Sequence, residues 1–219
     1  DVDETKIKKM IDGFNSLGKL SENYFSKNYA DTYFSKENCK KIGFIRERID
    51  ELANCGELNS REKAILITSL LYAMDKIANT VGHYDAYRKK GKLDKKLILR
   101  YPIFDVRNNT NNQIFSTDAN ELVKQISADV VYIDPPYNSR QYCDAYHLLE
   151  NVALWEKPKV VGVAKKMKNR NSKKSKYCTL KAADAFSNLI ENVKAKYILV
   201  SYNNTGTKGA GRSQAKISD

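Results

Sequence analysis

Apolar residues recur at helical spacing through the first third of the chain and as short unbroken runs in the last third. After Ser35, Ile42, Ile45, Ile49 and Leu52 stand three or four positions apart, which predicts an amphipathic helix with Gly56 as its C-terminal cap. Asn59 followed by Glu62 reads as a capping box. It opens a second helix with Ile67, Leu70, Leu71, Met74, Ile77 and Ala78 on its apolar face. From about Arg88 to Asn112 the chain is basic and rich in Asn, and Pro102 limits regular structure there.

Beyond that stretch the period changes. Residues 113–116 (Gln-Ile-Phe-Ser) read as a short strand and 119–126 as a helix. Residues 129–134 (Asp-Val-Val-Tyr-Ile-Asp) read as a buried strand, ended by two prolines that cannot continue a central ladder. A helical run follows from about Cys143 to Trp155. Thr179 is placed to cap another helix, with Ala183, Phe186, Leu189, Ile190 and Val193 inward, and 196–201 (Lys-Tyr-Ile-Leu-Val-Ser) reads as a second buried strand. Strands alternating with helices predict an α/β fold with a parallel sheet. The division expected is a helical region over 1–112 and a sheet-bearing core over 113–219. Open parallel sheets bind ligands beyond the carboxyl ends of their strands. Asp118, the loop from Asp134 to Tyr137, and Asn203 with Asn204 all follow such ends, so a site is expected where these loops meet.

Composition narrows the partner. Hydrophobic residues make up 42% of the 219 and charged residues 29%, enough for a sizeable core in an ordinary globular protein. The formal charge of +12 points to an anionic partner, nucleic acid first and an acidic membrane surface second. No apolar run approaches a bilayer span and no signal-peptide pattern is present, so no membrane partner is expected. Cys39, Cys55, Cys143 and Cys178 are widely spaced, which argues against a zinc site or a disulfide framework and for a reducing, cytoplasmic setting.

The strongest chemical signal is Asp134-Pro135-Pro136-Tyr137 after the run 130–133. With Asn138-Ser-Arg-Gln-Tyr142, the segment Asn79-Thr-Val-Gly-His-Tyr-Asp85 behind its helix, and Ser201-Tyr-Asn-Asn204, it resembles the amino-methyltransferases with an Asp-Pro-Pro-Tyr signature. The nearest likeness is to the site-specific DNA adenine methyltransferases of restriction-modification systems. The resemblance implies a Rossmann-like class I methyltransferase core with a mainly parallel sheet and helices on both faces. It implies S-adenosylmethionine as cofactor and methylation of the adenine amino group in double-stranded DNA, with the base flipped out of the duplex. The chemistry is consistent with these residues. A purine amino group is a weak nucleophile, and acceptors on its two hydrogens stabilise the positive charge that develops on nitrogen. Asp134 supplies a carboxylate, Pro135 a rigidly directed carbonyl, and Tyr137 a face for stacking. In the resembling enzymes an acid at the place of Asp118 accepts from the cofactor's adenine, and Asp134 also meets the cofactor's methionine amino group. Asp118 is equally suited to cap a helix.

Some parts of the family pattern are missing. Leu17-Gly18 and Val81-Gly82 do not follow a strand, so no glycine-rich cofactor loop is found. The resemblance places that loop before Asp1 or on a complementary segment or subunit, and this stretch alone is expected to bind cofactor weakly or not at all. Two basic clusters are candidate phosphate contacts: Lys165, Lys166, Lys168, Arg170, Lys173 and Lys174, and the run from Arg88 to Arg100. The helical region is the candidate for target recognition. His83 with Tyr84 and Tyr87, and His147 with Tyr142 and Tyr146, are read as pocket walls or as core. The alternatives are an amino-methyltransferase acting on cytosine or RNA, and a non-catalytic DNA-binding or specificity subunit.

Overall fold

The computed structural model describes residues 1–104 and 111–203. In chain order the principal elements are α1 (Glu4–Asn15), α2 (Tyr24–Tyr29), α3 (Lys36–Asn54), α4 (Ser60–Ile77), α5 (Ala119–Leu122), β1 (Ala128–Ile133), α6 (Tyr142–Ala145), α7 (His147–Leu154), β2 (Val160–Val161), β3 (Lys166–Met167), α8 (Ala182–Asn192) and β4 (Ala195–Val200). They form two compact units, Asp1–Asp105 with Asp144–Arg170, and Val106–Cys143 with Asn171–Asp219.

The first unit is helical. Ser35 caps α3 through a hydrogen bond to the Asn38 N–H, and Ile42, Ile45, Ile49 and Leu52 are all buried. Gly56, in the left-handed region at φ 81°, follows its end. Both halves of the α4 capping box are present, with Asn59 accepting from the Glu62 N–H and Glu62 from the Asn59 N–H. The buried α4 stripe is Leu66, Ser69, Leu70, Ala73 and Met74, rotated slightly from the expected face, and Ile67, Leu71 and Ile77 lie at its margin. Residues 144–170, grouped by sequence with the sheet, join this unit because Leu148, Val152 and Trp155 enter its core. The expected helix over 143–155 is broken at Tyr146 into α6 and α7.

Extended segments in this unit have few ladder partners, and asparagine amides satisfy their backbone instead. Asn79 donates to the Thr32 and Arg88 carbonyls. Asn38 donates to the Lys95 carbonyl and accepts from the Leu97 N–H, while Asn15 does both to Leu99. The buried Arg46 closes the end of α7 by donating to the carbonyls of Val152 (2.6 Å) and Ala153 (3.2 Å), with Asp50 at 2.7 Å and the Trp155 ring at 5.7 Å. Burial pushes the Asp50 carboxyl up, but hydrogen bonds from Arg46 and Lys63 outweigh it and hold the group below its ordinary value.

The second unit contains the sheet. β1 and β4 pair in parallel, Val130 with Tyr197 and Ile133 with Val200. On one face, Ile133 is buried against Tyr177, Ala185 and Leu189, with Val131, Phe186, Ile190 and Val193 beside them. The opposite face is bare: Val130, Tyr132, Tyr197 and Leu199 are each more than half exposed. The α/β class and parallel pairing expected from sequence are therefore present. The burial expected for both strands is not, because among the described residues β1 pairs only with β4 and helices pack on one face alone. Residues 113–116 form no strand, and Ile114 is 96% exposed with no ladder to join. The expected helix over 119–126 is confined to Ala119–Leu122. α8 begins at Ala182, not at Thr179, whose hydroxyl accepts from the Lys181 N–H, and Ala182, Ala185 and Leu189 form its buried side.

Replacing Arg46 by Ala removes the donors to the Val152 and Ala153 carbonyls, while Asp50 keeps Lys63 at 2.7 Å. The expected loss is about 1–3 kcal/mol, the usual cost of leaving a buried polar group unsatisfied. It is measured by urea denaturation of parent and variant under one buffer condition.

Candidate active site

Strand direction assembles the candidate site. Because β1 and β4 run parallel and Ile133 registers with Val200, the chain leaves both strands at the same edge. The Ser201 N–H donates to the Ile133 carbonyl at 2.9 Å, carrying the pairing one step past the strand. Asp134 and the segment Ser201-Tyr-Asn203 thus emerge side by side, as parallel-sheet geometry requires. Asn204 lies outside the described residues.

The corner after β1 divides by polarity. Asp134 is exposed, Pro135 is buried, Pro136 is half-buried, and the Tyr137 ring is 41% exposed. Pro135 has no N–H to extend the ladder, and two successive prolines restrict the backbone so that the acid and the following carbonyls keep a fixed direction. The Asn138 side chain accepts from the Arg140 N–H at 2.9 Å, closing the next turn.

Gln141 holds that loop, a role its spacing did not reveal. Its amide donates to the Ser175 carbonyl (3.1 Å) and accepts from the Ser175 N–H (2.7 Å), mimicking one rung of a ladder. The Cys178 thiol donates to the Arg140 carbonyl at 3.3 Å. These partners lie 34 and 38 positions apart, beyond any local signal. All four cysteines are free thiols.

Asp118 caps α5, accepting from the Asn120 N–H at 2.9 Å, and is exposed. Asn120 donates to the Ala185 carbonyl and to Asn188 on α8. The Tyr177 phenol donates to the Asn120 side chain at 2.8 Å. Burial, with the Asp118 carboxylate adding to it, pushes that phenol up to about 12. Tyr177 therefore joins the floor under Ile133 to the turn that carries Asp118.

The chain matches the family described as D12 class N6 adenine-specific DNA methyltransferase over residues 2–206. It belongs to that family. It is 43% identical over 191 residues to the modification methylase StsI of Streptococcus sanguinis, covering 84% of this chain and 29% of that protein. It is 38% identical over 183 residues to the type II methyltransferase M.NlaIII of Neisseria lactamica, covering 82% and 54%. It is 39% identical over 178 residues to the type II methyltransferase M.FokI of Planomicrobium okeanokoites, covering 80% and 27%. The chain thus spans between about a quarter and about half the length of these relatives. No solved structure matches it.

Within this D12-class chain the basic run after α7 is less uniform than its sequence. Lys168, Lys173 and Lys174 are exposed and Lys165 is half-buried. Lys166 pairs with Asp85 at 2.5 Å and lies 3.6 Å from Asp144, to which Arg170 donates at 2.5 Å. Lys166 and Arg170 therefore tie the β2–β3 hairpin to carboxylates from elsewhere in the helical unit. Among the described residues no cluster of His, Cys, Asp and Glu could hold a metal, and no helix is long and apolar enough to cross a membrane.

Both histidines bond to backbone groups. His83 accepts from the Asp85 N–H through Nδ1 at 3.2 Å. His147 is fully buried, and its Nε2 donates to the Tyr84 carbonyl at 2.9 Å, joining the segment after α4 to the start of α7. Burial, with Lys166 adding to it, lowers its pKa from the ordinary value near 6.5, although the Tyr84 carbonyl and the Asp85 and Asp144 charges oppose the shift. Below pH 6.5 the unfolded chain binds a proton that the folded chain resists. The associated stability is therefore complete above that pH and is lost as pH falls towards the depressed folded value. Urea midpoints at pH 7.5 and 5.5 should fall more steeply for the parent than for His147→Gln, by up to about 1.4 kcal/mol per pH unit. Equal slopes would remove His147 as the cause.

Proposed function

We propose that this chain carries the catalytic corner of an enzyme that methylates the amino nitrogen of adenine in a specific double-stranded DNA sequence. The observation that carries this reading is an exposed acid and tyrosine flanking a rigid double-proline turn, at the carboxyl edge of a parallel strand pair, in a chain of the D12 family. The cofactor is S-adenosylmethionine, whose sulfonium supplies an electrophilic methyl group. The residues present suit it. Asp118 uses one carboxylate oxygen to cap α5 and keeps an exposed second oxygen for the adenine end, and Asp134 is an exposed acceptor for the amino end.

The protein's own contribution is alignment and charge stabilisation. The Asp134 carboxylate and the Pro135 carbonyl accept hydrogen bonds from the two amino hydrogens of the extruded base. They turn the nitrogen lone pair towards the donor and stabilise its growing positive charge. Tyr137 stacks on the purine, worth about 1–3 kcal/mol for such contacts. The rigid turn matters because a displaced acceptor loses most of this benefit. Lys165, Lys168, Lys173 and Lys174 are proposed phosphate contacts. Lys166 and Arg170 pair with Asp85 and Asp144. The helical unit is the proposed site of target reading.

The bare sheet face supports one more element of this reading. Parallel sheets are ordinarily covered on both faces. Val130, Tyr132, Tyr197 and Leu199 present an apolar surface suited to a further polypeptide segment, and the glycine-rich cofactor turn absent from this sequence belongs to such a segment.

In an active preparation containing this chain, Asp134→Ala should lower methylation by at least about a hundredfold while duplex binding persists. The measurement is digestion of treated DNA to nucleosides and quantification of the methylated base. Intact methylation would favour a non-catalytic subunit. A methylated cytosine in place of adenine would overturn the choice of substrate.

A further inference from the structure

The segment between Lys95 and Arg100 contains no helix or strand, yet it is firmly held. Leu97 and Leu99 are buried while Lys96, Ile98 and Arg100 are exposed, the period-two alternation of an extended chain. Asn38 and Asn15 grip its backbone on either side of Ile98. Lys41 donates to the Leu97 carbonyl at 3.2 Å and Ser69 to the Arg100 carbonyl at 2.7 Å. Through these contacts α1, α3 and α4 all anchor the segment. Such anchoring fixes which side chains face outward. Between Arg88 and Arg100 seven cationic residues accompany a single carboxylate, Asp94.

We infer that residues 95–100 form a rigid strap for the DNA backbone, presenting Lys96 and Arg100 to phosphates of the duplex, separately from the basic run 165–174. This rests on the proposed action on double-stranded DNA. Lys96 and Arg100 stand about 13 Å apart along an extended chain. Projected on the duplex axis, that length spans roughly four base-pair steps at about 3.4 Å each. Because the backbone is already ordered by Asn15 and Asn38, placing the two cations costs little further conformational entropy on binding. The exposed Ile98 between them offers an apolar contact to the sugar edge.

The test measures duplex affinity across a salt series in an active preparation. Replacing Lys96 and Arg100 together by Ala should reduce the slope of log affinity against log salt by about 2 and weaken binding roughly tenfold. Asn38→Ala keeps every charge but releases the strap, and should also weaken binding several-fold, with helical content unchanged by circular dichroism. A control pair, Lys19→Ala with Lys27→Ala, removes two exposed cations from elsewhere in the unit. The strap is overturned if the Lys96/Arg100 variant behaves like that control pair, or if Asn38→Ala binds as tightly as the parent. At saturating DNA the strap variant should keep its turnover, with only KM raised. Asp134→Ala should lose turnover with affinity kept, so the two readings fail separately.

Discussion

The parallel pairing of β1 with β4 is the constraint on which the candidate site depends. Parallel strands end at the same edge, so pairing Ile133 with Val200 places Asp134 next to Ser201. The register is fixed by burial. Ile133 must face Tyr177, Ala185 and Leu189, and a one-residue slip would turn it to the bare face and bring Tyr132 inward. Once register is set, Pro135 ends the ladder because it has no N–H, and the corner turns out towards solvent. The Tyr177 phenol extends the same constraint to Asn120, and so to the cap formed by Asp118. The two carboxylates read as functional thus rest on one floor made by α8 and the residues preceding it.

Charge is distributed by role. A net +12 at neutral pH suits an anionic partner, but individual cations differ in what they already serve. Arg46 is buried and holds the end of α7. Lys166 and Arg170 neutralise Asp85 and Asp144, and Lys41 donates to backbone carbonyls. Lys96 and Arg100 on the strap 95–100, like Lys168 and Lys174 in the second basic run, are exposed to solvent. Sequence clustering alone overstates the number of free charges in the second run and does not indicate that the first has a fixed backbone.

Residues that look chemically able often act as connectors here. His147, suspended between Tyr84 and the Tyr33 ring, links two segments of the helical unit and is kept neutral by burial. Asn15, Asn38 and Asn79 bind extended backbone in place of missing ladders, while Asn23 donates to the Lys40 carbonyl in α3 and Asn151 to the Tyr24 and Tyr29 hydroxyls. An amide offers both a donor and an acceptor, so it satisfies an isolated peptide group that no strand reaches.

The sequence by itself determined the local features: the Ser35 and Asn59 caps, the apolar stripe of α3, the two strands, the proline corner and the family it signals. These are short-range properties, set by propensity, periodicity and a contiguous motif. Only tertiary structure decided the rest. It broke the helix at Tyr146, left 113–116 without a ladder and left one sheet face bare, because each outcome depends on whether a distant partner is present. It also paired Gln141 with Ser175, Lys166 with Asp85 and Asn38 with Lys95. Such contacts join residues tens of positions apart, and no local pattern encodes them: side-chain chemistry limits what can bond, and chain topology selects which groups meet.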